Sequence, residues 1–156
     1  WFKGASSLSY QVTIQYEFTS TQLTDQLVSI VIKGDGDLSS GRRLQLDLEY
    51  NPGGTYVAKL YKAVLDGSLL LLGTIDVVGS LVAATGFLTL TYTRSFVPGG
   101  TATFIPSAEV IPSGGGSQVV SAGASLDELE DRELGQISAI GCSQWASILQ
   151  VTGGPV

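Results

Sequence analysis

The chain has 156 residues, of which 44% are hydrophobic and 14% charged, with a formal net charge of −6. Ordinary soluble domains carry about 25% charged residues, so Ser, Thr, Gly and Gln must cover much of this surface. The eight lysines and arginines never cluster beyond Arg42-Arg43, which excludes the electrostatic footprint of a nucleic-acid binder, and the lack of histidine excludes Ser-His-Asp and Cys-His catalysis.

The length suits one domain, or one domain with an appendage, able to bury roughly 70% of its unfolded surface without metal or disulfide. Cys142 is the only cysteine, so no intrachain disulfide forms. The apolar segment Ser68 to Leu72 is far too short to span a bilayer. A start at Trp1, with no methionine anywhere, points to a processed product or an excised domain.

Along the chain, alternation comes first. Leu8, Tyr10, Val12, Ile14, Tyr16 and Phe18 share one face of an extended segment, and Ser9, Gln11, Thr13, Gln15 and Glu17 share the other. Period two predicts a strand with one buried and one wet face. Val28, Ile30 and Ile32 repeat the pattern, although Leu27 and Val31 make the second face apolar too. Leu44, Leu46, Leu48 and Tyr50 alternate cleanly with Gln45, Asp47 and Glu49. Residues 56–64 and 69–78 are rich in β-formers. Residues 81–94 read as one long strand bent at Ala84-Thr85-Gly86, because glycine in a strand often marks a bulge. A shorter strand is expected at Thr101 to Ile105.

Turn chemistry separates these runs. Asp66-Gly67 is a hairpin signal. Asn51-Pro52-Gly53-Gly54 and Val97-Pro98-Gly99-Gly100 combine a fixed φ with glycine's freedom. The stretch Pro52-Gly53-Gly54-Thr55 recurs as Pro98-Gly99-Gly100-Thr101, 46 positions later, which suggests a duplicated hairpin.

Beyond Ile105 the character changes. Ser113-Gly114-Gly115-Gly116-Ser117 has a flexible linker's composition, and residues 113–124 are expected to form a hinge. Ser125 reads as an N-cap, with Glu128 completing a capping box before Leu126, Leu129 and Leu134 at helical spacing. Five acidic residues and Arg132 between 127 and 133 carry −4 of the net charge. Residues 137–151 fit a helix or a final strand equally. The expected architecture is an all-β antiparallel sandwich or jelly roll over residues 1–112. A small β-barrel is the alternative, and a short helical or mixed appendage spans 125–156.

The sequence names no catalytic residue and no cofactor. Cys142 has no basic neighbour to activate it. Asp35 and Asp37 alternate as calcium ligands can, but an EF-hand would need Gly and an acid where Ser40 and Leu46 stand. They remain weak metal candidates beside the reading of an acidic, soluble turn. Asp47 and Glu49 lie roughly 6.5–7 Å apart on one strand face. That spacing can serve glycoside hydrolysis, but it equally describes a solvated polar face, with Lys59 and Tyr61 as cross-strand partners.

Two functions follow as expectations. The first is a non-enzymatic structural or interaction domain of a self-assembling particle, filament or surface layer, extracellular or on a virion. Its partners would be copies of itself, with Trp145, Ile148 and Leu149 as contacts. The second is a barrel binding a small apolar ligand, and even a base-free cyclase, with Tyr10, Tyr16, Tyr50, Tyr56, Phe87 and Tyr92 lining its cavity.

Overall fold

The computed structural model describes residues 2–3, 9–18, 25–33, 43–51, 55–63, 68–77, 85–95, 103–121, 137–143 and 146–155. Among them are the strands β1 (Phe2–Lys3), β2 (Ser9–Phe18), β3 (Gln26–Lys33), β4 (Arg43–Asn51), β5 (Thr55–Ala63) and β6 (Leu69–Asp76). The later strands are β7 (Thr85–Ser95), β8 (Thr103–Pro112), β9 (Gln118–Ser121), β10 (Ile137–Cys142) and β11 (Ala146–Pro155). A six-stranded sheet runs in the order β1-β10-β3-β4-β5-β6, and a five-stranded sheet in the order β11-β2-β7-β8-β9. Every pairing is antiparallel. The two sheets form a sandwich, as the alternation predicts. Both are open, with edge strands, so the barrel alternative does not hold.

The even-numbered face of β2 and the apolar faces of β3, β4 and β5 supply the core. Val12, Ile14, Tyr16, Ile30, Leu46, Leu60 and Leu88 are all fully buried. Area removed from water at about 25 cal/mol per Å² is what holds the layers together. At one end Phe18, Tyr50, Tyr56 and Tyr16 pack ring to ring, with centroids 5.4–6.3 Å apart. Tyr16, Tyr50 and Tyr56 therefore fill the core with one another. Phe87 points the other way, to the outside of β7, where it is 42% exposed. Tyr10 and Tyr92 are register partners on β2 and β7. Phe87 thus does not share a cavity with Tyr16, Tyr50 and Tyr56.

Gly86 stands near the start of β7 for a reason other than a bend. A Cβ there would lie 2.5 Å from the Ile111 carbonyl oxygen and 2.6 Å from the Tyr16 hydroxyl. Only glycine lets β7, β8 and the Tyr16 ring approach this closely. The Tyr16 and Tyr56 hydroxyls are buried and neither makes a well-formed hydrogen bond. Burial pushes the Tyr16 phenol up to about 12, only partly opposed by the Tyr56 hydroxyl. Burial first, and then Tyr16, push the Tyr56 phenol further in the same direction.

The C-terminal third departs most from expectation. Residues 113–117, expected to begin a hinge, form the turn joining β8 to β9. Gly115 N–H donates to the Pro112 carbonyl at 3.0 Å, and Gly114 has a φ of 75°. A positive φ at that position is what a type II turn reserves for glycine. Residues 118–121 continue as β9, paired to β8. Residues 137–142 enter the six-stranded sheet beside β3, and 146–155 enter the five-stranded sheet beside β2. Both are strands of the sandwich rather than a docked appendage. The helix expected from Ser125 lies outside the described residues.

Candidate functional site

The outer faces of the two sheets hold the polar side chains. On the six-stranded sheet, Asp47 is 7% exposed although it points away from the core. Gln45 Nε2 donates to both of its oxygens at 3.0 Å, and Ser29 Oγ donates to Oδ1. Arg43 Nε donates to Gln45 Oε1 at 3.0 Å. Lys59 pairs with Glu49 at 2.8 Å. The hydrogen bond to Glu49 is the main reason the Lys59 ammonium is held above its ordinary range. Asp47 and Glu49 do share a face, as the strand period requires, but their polar partners are other side chains of the same face. Tyr61, beside them, titrates above its ordinary value, chiefly through burial. A cavity of about 230 Å³ at the end of this sheet is lined by Asp25, Gln26, Leu27 and Glu49.

The five-stranded sheet is built differently. Its register sets Thr152, Thr13, Thr89, Glu109 and Val119 in one row across β11, β2, β7, β8 and β9. The next row is Gln150, Gln15, Phe87 and Ile111. On the other side, Gln11, Thr91 and Ser107 follow one another across β2, β7 and β8. The face is thus made of amides and hydroxyls with a few apolar side chains. Gln11 Nε2 donates to Thr13 Oγ1 at 3.3 Å, and Thr13 and Thr89 share a hydrogen bond of 2.9 Å. Thr89 is 9% exposed, buried at the middle of the sheet. Glu109 is half-buried beside it, and Ser117 Oγ donates to its Oε2 at 2.7 Å. That bond orients the carboxylate through Oε2. Glu17, the other acid of this face, is paired to Thr85 at the far end of β2.

Thr13, Gln15, Phe87, Gln150 and Thr152 enclose a shallow cavity of about 130 Å³. It exists because β11 is bulged at Leu149, where the register slips between Ile148 and Gln150. The slip turns Gln150 and Thr152 to the same side as Gln15 and Thr13. Ile148 packs against the core and Leu149 is exposed. These two of the expected assembly contacts therefore diverge, and Trp145 lies outside the described residues. So do Asp35 and Asp37. Among the described residues no three His, Cys, Asp or Glu side chains gather to hold a metal. Cys142 is free and exposed.

No protein-family model matches this chain. No curated protein matches it either. The solved structures that it resembles include Scytalido-glutamic peptidase with a peptide-based transition state analog. The TM-score is 0.48 at 14% identity, over 96% of this chain and 72% of that one. A structure of SCP-B, a member of the Eqolisin family of peptidases, in a complex with the tripeptide Ala-Ile-His gives 0.42 at 14%, over 96% and 72%. At these values the likeness is one of β-architecture and brings no residue role to this chain. The expectation of a non-enzymatic domain of a self-assembling particle, filament or surface layer has no counterpart among these structures, which are those of peptidases.

Proposed function

We propose that the protein binds extended peptides across the outer face of the five-stranded sheet and hydrolyses them with Glu109 as the acid–base group. The observation that supports this is the neutral row Thr152, Thr13, Thr89 ending on one oriented carboxylate. A peptide backbone presents alternating N–H and C=O groups. Amides and hydroxyls answer both, because each can donate and accept. Phe87, Ile111 and Val119, exposed on the same face, offer contact area to side chains. A face with little charge suits a neutral polymer, since no ion must be desolvated when it is covered.

Without histidine, a carboxylate is the natural general base. Glu109 Oε1 takes a proton from a water that attacks the peptide carbonyl carbon. The C–N bond then breaks, and the same carboxyl returns the proton to the departing amine. Donors on the face, among them Thr89 Oγ1, stabilise the charge on the carbonyl oxygen. Such positioned acid–base groups contribute about 10²–10⁴-fold.

The test incubates the protein with a mixed peptide library across pH 3–8 and reads cleavage by mass spectrometry. Cleavage that Glu109→Gln abolishes while peptide binding persists is the expected result. Neither binding nor cleavage of any peptide overturns the reading, as does binding confined to glycans on a glycan array.

A further inference from the structure

The cavity beside Thr13 has a chemistry of its own. It is enclosed by two amides, Gln15 and Gln150, two hydroxyls, Thr13 and Thr152, and the ring of Phe87. Its volume, about 130 Å³, is well below the roughly 300–1,000 Å³ that holds a whole small-molecule ligand. It is the size for a single side chain. Gln15 and Gln150 are register partners across β2 and β11, and so are Thr13 and Thr152. Their polar ends therefore converge from two strands, while Phe87 on β7 closes the third side.

Among the described residues, no charged side chain lines the cavity. A carboxylate or an ammonium placed there would give up part of its water and meet no counter-ion among these residues, and a partly desolvated, unpaired charge is disfavoured. A neutral amide is different. It donates and accepts at once, as Gln15 and Gln150 do, and its methylene stem can lie on the Phe87 ring. Among the described residues, no side chain bonds either glutamine amide, so both are available to such a guest.

Resting on the proposed peptide binding, we infer that this cavity is a specificity subsite for one uncharged polar side chain, glutamine or asparagine, on the bound peptide. The row fixes its distance from the reacting group. Thr13, Thr89 and Glu109 stand on three neighbouring strands, each step about 4.8 Å. From the cavity, which straddles β11 and β2, to Glu109 is therefore about 10–12 Å across the sheet. An extended peptide rises about 3.3 Å per residue. The anchoring side chain therefore sits three or four residues from the bond that Glu109 attacks.

The experiment uses one labelled peptide scaffold with Gln, Leu, Glu or Lys at the anchoring position. Affinities are read by fluorescence anisotropy on the Glu109→Gln protein, and cleavage positions on the unaltered protein. Gln is expected to bind at least about tenfold more tightly than Glu or Lys, with Leu in between. Cleavage should fall three or four residues from the guest. Gln150 is an exposed side chain on an edge strand, so charge is tolerated there. Gln150→Glu should move the preference toward the Lys guest, and Gln150→Lys toward the Glu guest. A merely structural role for Gln150 would shift no preference. Equal affinity for all four guests, or a preference unmoved by both charge changes, overturns the subsite while peptide binding stands. If no guest peptide binds at all, the failure belongs to the proposed function itself.

Discussion

On the outer face of the six-stranded sheet, Arg43, Gln45, Asp47 and Ser29 bond one another, and Lys59 bonds Glu49. On the outer face of the five-stranded sheet, the hydroxyls of Thr13 and Thr89 bond each other and Glu109 is steadied by Ser117, but Gln15, Gln150 and Thr152 converge on open space. The first face satisfies its own polar groups. The second holds neutral donors and acceptors that a ligand can use. Charged and polar side chains that bond one another leave few groups for a ligand, whereas neutral groups that converge on open space beside one carboxylate leave several.

The two sheets should respond very differently to a methyl group at their glycines. Gly86→Ala would push a methyl into the Ile111 carbonyl, the Tyr16 hydroxyl and Pro112 Cα, all within 2.9 Å. Two of these are backbone atoms that cannot step aside. A loss of about 3 kcal/mol is expected by chemical denaturation, with loss of the five-stranded sheet's binding face. Gly141→Ala, on β10 of the other sheet, meets nothing within 4 Å. It should be neutral or stabilise by less than about 1 kcal/mol. Equal losses at both would deny that Gly86 is a contact glycine.

Alkaline pH tests the core that both faces share. The Tyr16 phenol is raised to about 12, and that of Tyr56 is displaced in the same direction. A group raised in the folded state contributes stability that is complete below its unfolded pKa, near 10. That contribution disappears as pH climbs through the folded value. Stability should hold to about pH 10 and fall above it, by roughly 2–3 kcal/mol from Tyr16 alone at pH 12. Tyr16→Phe removes an unsatisfied hydroxyl, so it should cost little at neutral pH and flatten the alkaline fall. Urea midpoints from pH 7 to 12 would show this, and an unchanged slope would refute it.

How far this arrangement could be read from residues alone depends on the strand. β2 and β4 were legible because a half-buried strand must alternate, and their buried apolar positions are among those the pattern named; Asp47, buried on the outer face of β4, is not. The hairpin echo also has structural form. Asp47 pairs with Lys59, and the positions 46 further on, Thr93 and Ile105, pair likewise in the other sheet. Pro106 and Pro112 look like breaks in the sequence, yet β8 runs from Thr103 to Pro112, past the expected end at Ile105. Both lie inside β8 but outside the stretch 107–110 that pairs with β9, where a missing N–H breaks no bond on that side. Glu109, between those prolines, was missed with the strand that carries it. Gln15 and Thr13 were visible only as a wet face. Their meeting with Gln150 and Thr152 depends on a bulge at Leu149 and a long-range pairing, neither of which has a local signal.

Asp47→Ala sharpens the contrast between the faces at intermediate size. It removes the acceptor that Ser29 and Gln45 share, and should cost about 2 kcal/mol. Peptide affinity on the opposite sheet should stay unchanged. Thr89→Val should behave in reverse, with a smaller stability loss and weaker peptide binding, since it breaks the bond to Thr13 on the binding face. Affinity that follows Asp47 rather than Thr89 would assign the site to the wrong face.

The smallest effect belongs to the ion pair. Lys59 and Glu49 are about 30% exposed, so solvent screens them and Lys59→Met should cost less than about 1 kcal/mol. The direction with pH is fixed by the raised Lys59 ammonium. Its contribution is whole below the ordinary lysine value, near 10.4, and is lost only as pH rises through the higher folded value. The stability difference between Lys59→Met and the unaltered chain should therefore not change from pH 7 to 9. It should shrink with added salt, because Debye screening at 1 M reaches down to about 3 Å. A loss well above 1 kcal/mol that salt leaves untouched would mean the ammonium packs into the Asp47 network. In that case the two faces would differ in degree only.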